Sequence, residues 1–105
     1  MATTPEYRDY ILDLLQPIYP VRDRKMFGGV GLFSEEGMFA LITADDVLHF
    51  KVDDENRGDY ETADMPRFAR MPYYQVPLEV MESTDELRLW MASSMEVTRR
   101  AAKKK

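Results

Sequence analysis

Residues 25–33 read KMFGGVGLF, three glycines set among bulky apolar side chains. Glycines in such a setting either cradle a phosphate or bend a sheet, and the two readings lead to different folds. A phosphate loop lies between a strand and a helix, so that the helix N-terminus meets the anion. Here Leu32 and Phe33 run into Ser34-Glu35-Glu36-Gly37, a hairpin turn in which Gly37 is free to take positive φ. No helix start follows before Asp53, and neither G-x-G-x-x-G nor Gly-Lys-Ser/Thr occurs. Gly28, Gly29 and Gly31 are therefore structural: they mark a bulge or a close approach of another backbone within an extended stretch from Arg22 to Phe33.

Downstream of this stretch the strand pattern continues. Met38 to Thr43 is apolar on both faces, as a central strand requires, and Ala44-Asp45-Asp46 turns the chain again. From Val47 to Val52 the side chains alternate, with Leu48, Phe50 and Val52 on one side and Val47, His49 and Lys51 on the other. Short turns between these three extended segments predict an antiparallel meander. Tyr73 to Val76 reads as a further strand. Helices flank the strands. Thr4-Pro5-Glu6 is a helix start, and Tyr7, Ile11, Leu14, Leu15 and Ile18 follow at helical spacing until Pro17 and Pro20. Asp53 or Asp54 caps a short helix through about Thr62, and Pro77 opens a turn over Leu78 to Glu82. Ser83-Thr84-Asp85-Glu86 is a capping-box pattern for a last helix whose stripe is Leu87, Trp90, Met91, Ser94 and Val97. The fold class is α+β in two layers: one antiparallel sheet with an N-terminal helix, a short middle helix and a long C-terminal helix packed against it.

The composition narrows the function. With 105 residues the chain forms one domain, placed at residues 1–98, followed by a basic tail at 99–105. Cysteine is absent, which removes disulfides, thiolate metal sites and a cysteine nucleophile. No secretory signal or membrane span is legible, and a soluble cytoplasmic protein is expected. The 19 acidic and 14 basic residues leave a net charge of −5. Residues 1–98 hold nine basic and 19 acidic residues, net −10, whereas Arg99, Arg100, Lys103, Lys104 and Lys105 meet no acid in the tail. So acidic a body repels phosphate backbones, and any weak, non-specific nucleic-acid contact falls to the tail. Such a tail also suits the C-terminal end of a helix dipole.

Three places invite a chemical reading. Asp53-Asp54-Glu55-Asn56-Arg57-Gly58-Asp59 places glycine at the sixth position of a calcium loop, but Arg57 stands at the fifth and Asp64 at the twelfth. A cation where an oxygen ligand is needed argues for acid at a helix N-terminus instead. His49 is the only histidine, and no nucleophile or cysteine accompanies it; it is read as facing solvent or an interface. Residues 65–74, MPRFARMPYY, mix methionine, arginine and aromatics, the types enriched in interface cores. Arg67, Phe68, Arg70, Tyr73 and Tyr74 form the candidate interaction surface. No catalytic, cofactor-binding or metal-binding residue is assigned.

Taken in order, RKMFGGVGLF (24–33), GMFALI (37–42), VLHFKVDDENRGDYE (47–61), MPYYQVPLEV (71–80) and DELRLWMASS (85–94) resemble the N-terminal domain of TfoX/Sxy-type proteins, the competence regulators. The resemblance covers Tyr7 to about Ser94. It implies the family's α+β fold, a bacterial cytoplasmic protein and a link to transcriptional activation alongside the cyclic-AMP receptor protein, with no defined catalytic set. The competence regulators also carry a C-terminal domain with helix-hairpin-helix character, which this chain does not match. The expected function is a non-catalytic regulatory module acting by contact with another protein, with a homodimer through a sheet edge or the last helix as a further expectation. The alternative is a small enzyme or ligand-binding domain using a cleft near Arg67, Arg70 and Tyr74.

Overall fold

The computed structural model describes residues 3–26 and 28–103. The elements run α1 (Pro5–Leu15), β1 (Arg22–Met26), β2 (Gly29–Ser34), β3 (Gly37–Ile42), β4 (Leu48–Lys51), α2 (Arg57–Thr62), β5 (Tyr73–Gln75), α3 (Leu78–Met81) and α4 (Thr84–Lys103). The five strands form one antiparallel sheet in chain order, β1-β2-β3-β4-β5.

The N-terminal helix starts where the capping chemistry predicts. The Thr4 side chain accepts from the Tyr7 amide, and Pro5 needs no partner for the N–H it lacks. A second device holds this helix end: the Thr4 amide and hydroxyl donate to the Asp46 carboxylate at 3.0 and 3.1 Å, and the Thr3 hydroxyl donates to it as well. Asp46 sits at φ 61° in the turn between β3 and β4, so a tight turn presents a carboxylate to the positive end of α1.

Arg22 to Phe33 proves to be two strands rather than one. β1 folds back on β2 with Met26 opposite Gly29 and Arg22 opposite Phe33, and Gly28 takes φ 76° between them. The glycines bend the chain by a full hairpin, which leaves β1 as the outer strand of the sheet. Gly29 has a different task. A Cβ there would lie 2.1 Å from the carbonyl oxygen of Ile42. Gly37 closes the next hairpin at φ 127°, as expected.

A β-bulge between Leu32 and Phe33 shifts the β2–β3 register, leaving Phe39 as the extra residue. Consecutive Phe39 and Ala40 are thereby both fully buried in the core, and the Phe39 ring lies 6.2 Å from that of Phe50. The core joins Val30, Leu32, Ile42, Leu48 and Phe50 of the sheet to Ile11 and Leu15 of α1, Tyr60 of α2, Val80 and Met81 of α3, and Leu87 and Met91 of α4. All four helices contribute to this one face of the sheet.

Two helix boundaries differ from expectation. The middle helix begins at Arg57 with Asn56 at its N-cap position, not Asp53 or Asp54. Asp53 instead folds a turn ahead of it: its carboxylate accepts from the Glu55 amide at 2.8 Å, and its carbonyl from the Arg57 amide at 3.0 Å. The last helix runs on through Lys103, so Arg99, Arg100 and Lys103 are helical; Lys104 and Lys105 lie outside the described residues. Within α4, Met91 is fully buried, while Trp90 is half-buried with its ring 4.7 Å from Tyr60. Ser83 accepts from the Glu86 amide at 3.3 Å, the first half of the capping box.

Candidate functional site

Because partners across an antiparallel pair share a face, the register assigns every paired strand residue to one side. Opposite the helices lie Arg22, Arg24 and Met26 of β1, Gly29, Gly31 and Phe33 of β2, Met38 and Leu41 of β3, His49 and Lys51 of β4, and Tyr73 and Gln75 of β5. None of these is Asp or Glu. This open face is cationic at the β1 edge and apolar in the middle.

Gly31 marks its centre. A Cβ there would meet the sulfur atoms of Met38 and Met26 at 2.8 and 3.0 Å and the Phe33 ring at 3.1 Å. The missing side chain lets two thioethers and a phenyl ring converge over the sheet. Met26, Phe33 and Met38 all remain half-buried. β1 itself is exposed from Arg22 to Lys25, a charged outer strand of the kind that discourages edge-to-edge pairing.

At the β5 side a loop covers part of the face. Residues 65–72 are tied to β5 as an irregular extra strand: the Phe68 amide donates to the Tyr73 carbonyl at 2.8 Å and the Gln75 amide to the Pro66 carbonyl at 3.0 Å. Arg67 holds the loop's turn together, donating to the carbonyls of Met71 at 2.9 Å and Arg70 at 3.0 Å. This pairing brings the Phe68 ring over the imidazole of His49, with centroids 5.4 Å apart.

His49 is consequently buried, at 6% exposure, so of the two readings, solvent or an interface, burial removes the first. Burial pushes its pKa down, against a weaker upward pull from the Val47 carbonyl, which lies 3.2 Å from Nδ1. Tyr73 is buried on the same side, its hydroxyl donating to the Met38 carbonyl at 3.4 Å; burial raises it to about 12.

The candidate surface from residues 65–74 is thus divided. Phe68 and Tyr73 belong to the open face, and Arg70 is exposed on the loop beside it. Tyr74 turns the other way, its ring 5.8 Å from Tyr60, and Arg67, its bridge partner, is occupied by main-chain carbonyls. The residues that sequence reasoning missed are Arg22, Arg24, Met26, Phe33, Met38 and Leu41. Their signal was the alternation Arg22-Arg24-Met26 and Gly29-Gly31-Phe33, which becomes readable once the hairpin at Gly28 is recognised.

The surface also offers open clefts that adjoin the edges of this face, at Met26 and Gly29 and at Gln75. One of about 350 Å³ lies between the start of α1 and the β1–β2 turn, lined by Thr4, Arg8, Lys25 and Gly28 among others. One of about 290 Å³ is lined by Tyr7, Tyr10, Gln75 and Leu78. Among the described residues no group of three or more His, Asp or Glu side chains is placed to hold a metal ion, and no helix is long and apolar enough to cross a membrane. At the tail, Arg99 pairs with Glu96 at 2.6 Å and Arg100 with Asp53 at 3.0 Å, so both guanidinium groups already meet carboxylates.

A one-sided antiparallel sheet, helices on one face and an acid-free apolar floor on the other, defines an α+β domain with a surface rather than a deep pocket as its most distinctive site. The model of the TfoX N-terminal domain matches residues 13–98, and the chain belongs to that family. A search of curated proteins finds no match.

Proposed function

We propose that this domain is a non-catalytic regulatory module of the bacterial cytoplasm that docks another protein on the open face of its sheet. The observation that carries this reading is the contrast between the two faces. Helices α1 to α4 all contribute to the core on one side, whereas Met26, Phe33 and Met38 stand half-covered on the other around a glycine. A contiguous apolar patch rimmed by polar groups is the ordinary signature of a protein contact surface. Methionine supports the reading further, since its flexible thioether adapts to a partner's shape. The domain's family membership gives the context, and the regulatory role in transcription is part of the proposal.

The test is site-specific photo-crosslinking in the native host. A photoreactive amino acid replaces Phe33 on the open face or, as control, Leu89, which is exposed on α4. A discrete cross-linked species from position 33 and none from position 89 supports the proposal. Equal or absent cross-linking at both positions contradicts it.

A further inference from the structure

We infer that the segment docking on the open face is acidic: a stretch of protein in which Asp or Glu alternates with large apolar side chains. This rests on the docking reading above and adds the chemistry of the partner. The body of the chain is strongly acidic, yet its carboxylates are not spread evenly. The strand positions of the open face contain Arg22, Arg24 and Lys51 and no acid at all, while Asp23, between the two arginines, belongs to the opposite side. Arg70 adds an exposed guanidinium on the adjoining loop.

This segregation matters at contact range. The molecule measures 32 × 31 × 29 Å, several times the Debye length of about 8 Å at physiological salt. A partner on the open face therefore feels the nearby cations more than the remote acids. Of the arginines at the β1 edge, Arg22 donates one N–H to the Ser34 carbonyl at 3.3 Å and keeps further donors in its fork. Of the acids in the β2–β3 turn, Glu35 accepts from the Tyr19 hydroxyl, and the charge of Glu36 acts on Arg99 at the end of α4.

Two other occupants fit less well. A second copy placed face to face brings together two faces that both carry cations and no strand carboxylate, which costs affinity. A nucleic acid gains from each phosphate neutralised, but this face supplies only a few cations, and the floor beneath them is mostly thioether. Among the described residues, Tyr73 is buried, and the aromatic rings this face offers to stacked bases are Phe33 and Phe68. Carboxylates over the arginines and apolar groups over Met26, Met38 and Phe33 match both halves of the surface.

The experiment is a titration of the full, isotopically labelled chain, followed through its backbone amides. The probes are a synthetic peptide alternating Glu with Leu and Phe, its Gln isostere, and an oligothymidylate. The expected result is that the Glu peptide shifts the amides of β1, Gly31, Phe33 and residues 65–72. Its affinity should fall about tenfold or more in high salt or in the variant Arg22→Glu/Arg24→Glu, whose surface positions leave folding intact. Equal binding of the Gln isostere on the same amides overturns the acidic preference while leaving the docking reading standing. Tighter binding of the oligothymidylate there overturns the inference in favour of nucleic acid. If the Glu peptide does not bind, the inference falls, and the crosslinking from position 33 then decides the docking reading separately.

Discussion

The imidazole of His49 lies beneath the ring of Phe68, with centroids 5.4 Å apart and planes inclined by 59°. A strand position that alternation assigns to the outside is thereby sealed by a ring nineteen residues further along the chain. Burial pushes the His49 pKa below its ordinary value of 6.5, so the unfolded chain binds a proton there more readily than the folded one. Stability is then fully present above pH 6.5 and declines as pH falls through the folded-state value. Thermal melts across this range should show that decline in the wild type and a flatter profile in His49→Gln. An unchanged slope in the variant would assign the pH dependence to other groups.

The glycines of the opening hairpin carry different constraints and should respond differently. Gly28 at φ 76° forces alanine into left-handed backbone, costing about 1 kcal/mol. Gly29→Ala drives a methyl group to 2.1 Å from the Ile42 carbonyl oxygen, a main-chain atom that moves only with its strand, and should cost about 3 kcal/mol. At Gly31 the neighbours are the ends of two methionines and a phenyl ring, so alanine should cost under about 1 kcal/mol. Denaturant midpoints of the three variants check the order.

Asp46 couples a turn of the sheet to the start of α1. Hydrogen bonds from the Thr3 hydroxyl and then the Thr4 amide lower its pKa from 3.8 despite some opposing desolvation. A carboxyl with a depressed pKa contributes stability above pH 3.8 that is lost as pH falls through the folded-state value. Asp46→Asn keeps a residue tolerant of positive φ and should lower the melting temperature at neutral pH. The gap to wild type should close in strong acid. A gap independent of pH would mean that shape, not charge, is what the variant loses.

In the core, the hydroxyls of Tyr60 and Ser94 are both buried without a well-formed hydrogen bond, although close enough to influence one another. Burial pushes the Tyr60 phenol far up. An unsatisfied buried hydroxyl stabilises little, so Tyr60→Phe and Ser94→Ala should each stay within about 1 kcal/mol of wild type. Tyr60→Ala, which deletes the ring packed on Trp90 and Tyr74, should cost about 3–5 kcal/mol. Chemical denaturation followed by Trp90 fluorescence separates these cases.

Local signals were legible where one residue suffices to set the backbone. Thr4 and Pro5 start α1, Gly37 turns β2 into β3, and the stripe from Leu87 to Val97 buries α4 as its spacing demands. What escaped the sequence depended on pairing between distant segments. A run of extended residues from Arg22 to Phe33 has the same composition whether it continues or folds back. The positive φ of Gly28 decides between them, and glycine permits both. Likewise nothing local tells that Phe68 will cover His49, or that the loop from Met65 sends Phe68 and Tyr73 to one side and Tyr74 to the other. The open face is a product of register, so it became visible only when the strands were paired.

Docking on the open face stands or falls on whether a partner touches Phe33. The decisive measurement compares Phe33→Gln, on the open face, with Leu89→Gln, on the exposed side of α4, for recovery of the co-purified complex from the native host. Both variants must first show wild-type circular dichroism. Phe33→Gln should lose the complex and Leu89→Gln should retain it. Full retention by Phe33→Gln, or loss by Leu89→Gln alone, would contradict docking on that face.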